Sequence, residues 1–82
     1  MKDTKFAIRH KESKKWVKIW FGIGLEGYVH LMNEFHSDVL YSSKNLIEED
    51  LSYAHWGDGR KGFVDPKEFE IMTIEITYKL PD

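Results

Sequence analysis

The pattern that most restricts this chain lies at its C-terminal end. From Glu70 onward Met72, Ile74, Ile76, Tyr78 and Leu80 alternate with Thr73, Glu75, Thr77 and Lys79, and strict period-2 alternation places apolar groups on one face of a β-strand. The regularity predicts a strand in the interior of a sheet, ended by Pro81. Two further stretches alternate near the other end. In Lys5–His10, Phe6 and Ile8 oppose Ala7 and Arg9, and in Trp16–Phe21, Val17, Ile19 and Phe21 oppose Trp16, Lys18 and Trp20. The polar segment Lys11–Lys15 has the length of a hairpin loop, so the two strands are expected to pair antiparallel. A third strand is read at Tyr28–Met32, and Val39–Tyr41 is long enough only for a short strand or the lead-in to a helix.

A helix is predicted over about residues 44–56. Ser42, Ser43 and Asn45 are capping residues, Asn45 and Glu48 have capping-box spacing, and Ile47, Leu51 and Ala54 form a helical stripe. Glu48, Glu49 and Asp50 complement the positive end of the helix dipole, and Gly57 supplies a C-terminal stop. Gly57–Gly62 reads as a loop and Asp65-Pro66 as a turn. The expected architecture is α+β: a mainly antiparallel four-stranded sheet in the order β-β-β-α-β, one helix packed on one face, and residues 1–82 forming a single domain.

Composition narrows the possible functions. With no cysteine among 82 residues there is neither a disulfide framework nor a thiolate metal site, which suits a reducing cytoplasm. The apolar run Ile19–Leu25 is too short to cross a membrane, and no signal peptide is read. The formal charge is −2, but residues 1–20 carry +5 and residues 21–58 carry −6. This polarity either steers a charged partner or is neutralised within the fold.

Motif-like strings are weighed against simpler roles. Gly22-Ile23-Gly24-Leu25-Glu26-Gly27 matches GxGxxG, yet a dinucleotide loop must open a helix, and Tyr28 onward alternates as a strand. A glycine-rich hairpin connection explains it better. His10, His30, His36 and His55, even with Asp38 and Asp58, show no close metal-ligand spacing. Ser37-Asp38 beside His36, or Ser42-Ser43 with His55, supply only fragments of a nucleophile–base pair. No catalytic, cofactor or metal residues are assigned, and the chain is read as a non-enzyme.

The informative surface is the outer face of the first hairpin, where Arg9, Trp16, Lys18 and Trp20 share one side. Exposed Trp with Arg is typical of protein-binding hot spots, and aromatics among cations also suit single-stranded nucleic acid. A third reading buries one Trp under the helix and covers the other with the Gly57–Lys61 loop. The acidic helix start at Glu48, Glu49 and Asp50 is a second candidate contact, capable of imitating DNA phosphates. Monomer and homodimer both remain open, as does pairing of the last strand across a dimer edge.

The stretches Lys5–Trp16, Tyr41–Leu51 and Glu70–Tyr78 together resemble small proteins encoded by phages and prophages of Gram-positive bacteria, of the staphylococcal type. The resemblance covers about half of the chain, and its motifs mark fold more than activity. It implies a non-enzymatic accessory protein in the bacterial cytoplasm, with a host or phage protein as partner and inhibition of a host protein as one role. Single-stranded nucleic-acid binding through Arg9, Lys14, Lys15, Lys18 and the two tryptophans is the alternative.

Overall fold

A computed structural model describes residues 2–22, 26–57 and 59–77. Their elements are β1 (Lys2–His10), β2 (Trp16–Phe21), β3 (Gly27–Met32), α1 (Lys44–Ser52), β4 (His55–Trp56) and β5 (Phe69–Thr77), with 3-10 turns at Ser37–Val39 and Pro66–Glu68. The α+β class is as expected. The sheet, however, has five strands in the order β4-β3-β2-β1-β5, and β4 runs parallel to β3. A mixed five-stranded sheet therefore replaces the expected four-stranded antiparallel one.

The additional strand arises where the helix ends early. Ser43, rather than Asn45, caps α1, its Oγ accepting the Leu46 N–H. Helical backbone stops at Ser52 because the next residues are claimed by tertiary hydrogen bonds. Trp56 N–H donates to the Gly62 carbonyl, Val64 N–H to that of Ala54, and Gly57 N–H to that of Val29. Those bonds turn the predicted last helical turn into β4. Gly57 consequently ends no helix. A Cβ at that position would lie 2.7 Å from His30 Nε2 and 3.0 Å from Tyr28 Cβ, so glycine permits the close approach of β4 to β3.

β1 and β2 form the expected antiparallel hairpin, but they share a single paired position, Arg9–Trp16, and then separate. Within the loop Lys14 takes a left-handed φ of 62°. The chain leaving β3 enters the split: Phe6 and Tyr41 exchange both backbone hydrogen bonds, and Lys18 Nζ donates to the Asp38 carbonyl. Val39–Tyr41 is thus neither a full strand nor simply a helix lead-in. It is a wedge, with Val39 fully buried.

Alternation assigns the two faces of the sheet. Ile8, Val17, Ile19, Val29 and Phe69 point toward α1 and form one core with Ile47, Leu51, Ala54, Trp56 and Val64. Full burial of a side chain such as Ile8 or Ile47 contributes roughly 1.5–3 kcal/mol. Arg9, Trp16, Lys18, Trp20, Tyr28 and His30 project from the opposite, helix-free face.

The last strand departs from its expected interior position: β5 lies at the edge of the sheet. It pairs with β1 over nine residues, from Lys2–Thr77 to His10–Phe69. Beyond Phe6 and Thr73 these strands pair only with each other among the described residues. The molecule measures 51 × 28 × 18 Å, and its radius of gyration is 13.8 Å against about 12 Å for a compact chain of this length. Tyr78, Lys79, Leu80 and Pro81, read as the end of this strand, fall outside the described residues, as do Ile23–Leu25 of the glycine string and Asp58. No described helix is long and apolar enough to cross a membrane.

Candidate interaction face on the helix-free side of the sheet

Register brings together side chains that are distant in sequence. Trp20 on β2 lies opposite Tyr28 on β3, Tyr28 lies opposite His55 on β4, and His55 bridges to Phe63. The Tyr28 and His55 rings are 5.8 Å apart and those of His55 and Phe63 stack at 4.3 Å. Trp20, Tyr28, His55 and Phe63 therefore form an aromatic row across three strands and the adjoining loop. Its ends are the most open, with Trp20 57% and Phe63 66% exposed.

Hydrogen bonding and charge pairing fix the surroundings of this row. The Tyr28 hydroxyl donates to Glu26 at 2.7 Å, and this bond to a carboxylate, with its charge, raises the phenol above its ordinary pKa. Lys18 Nζ sits 5.5 Å from the Trp20 ring and 3.7 Å from the Asp38 carboxylate. One step along the sheet, Arg9 Nε donates to Glu70 at 2.9 Å, which holds the Glu70 carboxyl below the usual range. Trp16 lies edge-on to Phe35 at 5.0 Å, with the Arg9 guanidinium 6.0 Å from its ring. The structure thus groups Arg9, Trp16, Lys18 and Trp20 on one face, with Trp16 partly covered, Trp20 open, and both cations matched to carboxylates.

The burial of tryptophan follows a different scheme from the third sequence reading. Trp56, not one of the hairpin pair, packs in the core, and Arg60 of the Gly57–Lys61 loop lies 4.1 Å from its ring. Phe35, which the sequence did not single out, shields Trp16 instead.

Glu48, Glu49 and Asp50 stand on α1, on the other side of the sheet, so the two predicted contact sets do not form one surface. Asp50 accepts from the Tyr41 hydroxyl at 3.0 Å; burial, then the Asp50 charge, pushes that phenol up. A 220 Å³ cavity beside the wedge is lined by Val17, Ile19, Val39, Tyr41 and Asp50 among others. A neighbouring one of 340 Å³ is lined by Phe21, Gly27, Glu49, Asp50 and Tyr53. Glu48 is exposed and lines neither.

The polar fragments weighed for catalysis are drawn into separate roles. Ser43 caps α1, His55 stacks in the aromatic row, and the His36 ring is 3.9 Å from Glu34. A different constellation appears at the first hairpin. Ser13 Oγ is 2.8 Å and Ser13 N 3.3 Å from His10 Nδ1, while Glu68 lies 3.7 Å from Nε2. The Ser13 N–H thus donates to the Nδ1 edge of the ring, and the Nε2 edge faces Glu68. His10 is 2% exposed, its Nε2 has no hydrogen-bond partner, and neither cavity reaches it. This arrangement closes the loop. Among the described residues no group of three or more His, Asp or Glu converges as a metal site.

No family model, curated protein or solved structure matches the chain.

Sequence reasoning found Trp16 and Trp20 but missed Tyr28, His55 and Phe63. The Trp20–Tyr28 pair was accessible in principle, since a hairpin of β2 and β3 with Trp16 opposite Met32 brings those two residues together. His55 and Phe63 gave no such signal. The first was read as helix, and the second falls between the Gly57–Gly62 loop and the Asp65-Pro66 turn, where no element was read.

Proposed function

We propose that this chain is a non-enzymatic protein-interaction module that binds its partner through the aromatic row on the helix-free face. The observation carrying this reading is the pairing of open rings with committed charges: Trp20 and Phe63 are exposed while Arg9 and Lys18 already face Glu70 and Asp38. Cations so engaged offer little to a phosphate backbone, whereas rigid aromatics contribute large contact area at low entropic cost. With the resemblance to phage and prophage proteins, the partner is a host or phage protein in the bacterial cytoplasm, and binding blocks a host protein. Affinity capture from a Gram-positive lysate tests this with the parent chain, Trp20→Ala and Phe63→Ala. A partner held by the parent and released by both variants supports the aromatic face. Retention by both variants, with release by Glu49→Lys, moves the contact to the acidic side of α1.

Single-stranded nucleic acid is the second reading, favoured by the row itself, because successive bases stack on rings displayed across a sheet. It requires quenching of Trp fluorescence by oligonucleotides with an affinity that falls as salt rises. Unchanged fluorescence at low salt removes it.

A further inference from the structure

β5 has the alternation read as that of a strand with neighbours on both sides, yet among the described residues only β1 pairs with it. Phe6 directs its N–H and carbonyl toward Tyr41, away from β5. Its partner Thr73 must therefore direct both groups to the outer edge, and the alternation of antiparallel bonding extends this to Ile71, Glu75 and Thr77. No described backbone group pairs with that edge. Long, open edges with apolar side chains favour further strand pairing, and natural monomers usually block them with Lys, Pro or a bulge. Between Phe69 and Thr77 there is no Lys and no Pro, the ladder with β1 is unbroken, and of the two charged residues Glu70 is paired with Arg9, leaving Glu75 as the one charge exposed on the strand.

We infer that β5 pairs antiparallel with β5 of a second copy of this chain, joining two five-stranded sheets across a twofold axis at Ile74. The sequence of the strand selects this register. With the axis at Ile74, the outward-directed groups of Thr73 face those of Glu75 of the second copy, and Ile71 faces Thr77. On the helix-free side Ile74 meets its own copy and Met72 meets Ile76, making one apolar cluster from side chains that are half-buried in the single chain. These are non-hydrogen-bonded pairs, in which side chains approach most closely. Moving the axis to Thr73 sets Ile76 against Glu70 and Glu75 against Ile71. Moving it to Glu75 sets that carboxylate against itself. The second copy also supplies a third strand to the part of the β1–β5 ribbon that has only two, a state of marginal stability in water.

Sedimentation velocity over a concentration series tests the inference. The parent is expected to reach twice its 9.7 kDa mass. Thr73→Pro removes an outward N–H that β1 does not use, and Ile74→Lys places like charges at the axis. Each should raise the dimer dissociation constant by roughly 100-fold, with circular dichroism reporting an intact fold. Trp20→Ala and Phe63→Ala should leave the dimer unchanged, which separates this edge from the proposed partner face. A parent that stays monomeric at its highest soluble concentration overturns the inference, as does a dimer indifferent to both Thr73→Pro and Ile74→Lys. Capture of an extended foreign peptide along β5 by a monomeric chain overturns the second-copy assignment.

Discussion

On the side of the sheet that α1 covers, Ile8, Val17, Ile19 and Val29 meet Ile47 and Leu51, and stability comes from apolar area removed from water. On the opposite side of the same strands stand Arg9, Lys18, Trp20 and Tyr28, held by Glu70, Asp38 and Glu26 and by ring contacts while remaining partly in water. One side commits its bulk to the fold; the other keeps aromatic area exposed and restrains it with local polar bonds. Substitutions on the two sides should therefore separate stability from recognition.

The largest effect is expected on the covered side. Ile8→Ala or Ile47→Ala leaves a cavity against a fully buried neighbourhood and should cost about 2–5 kcal/mol, read as a lowered urea midpoint. Gly57→Ala tests the seam between β3 and β4, because the new methyl meets the Tyr28 Cβ and the His30 ring. A loss of about 1–3 kcal/mol is expected, with altered Tyr and Trp fluorescence as the row shifts. Trp20→Ala should change stability by no more than about 0.5 kcal/mol while abolishing partner binding, and a large stability loss would place Trp20 with the core instead. The smallest effect concerns the Arg9–Glu70 pair. Because the native Glu70 carboxyl titrates below its unfolded value, the pair stabilises fully above the ordinary glutamate range and loses its contribution as pH falls through the lowered native value. Glu70→Gln should flatten that acid limb in urea titrations, and added salt should shrink the difference.

Much of the fold was legible because it depends on local periodicity. Spacing alone put Val17, Ile19 and Phe21 on one face of a strand and Ile47, Leu51 and Ala54 on one helical stripe; all are buried except Phe21, which is 56% exposed at the strand end. The errors share one cause. His55 and Trp56 were read as the end of the helix, but the Gly57 N–H is taken by the Val29 carbonyl, far off along the chain, and the Trp56 N–H by that of Gly62 across a loop that no local periodicity announces. The split of the hairpin by Tyr41 was hidden for the same reason. At the candidate site, Trp20 was visible as an outward residue, whereas the row it joins depends on a parallel strand and a bridge that sequence reading did not contain.

Alternation and helical spacing by themselves determined the class of the fold, the identity of most strands and the side of each that carries apolar bulk, because those properties follow from backbone geometry within a few residues. Tertiary structure alone decided where α1 stops, which rings align and that β5 stands at an edge. Those outcomes depend on competition among hydrogen-bonding partners separated by many residues, and they are settled only when the packed chain brings those partners within about 3 Å.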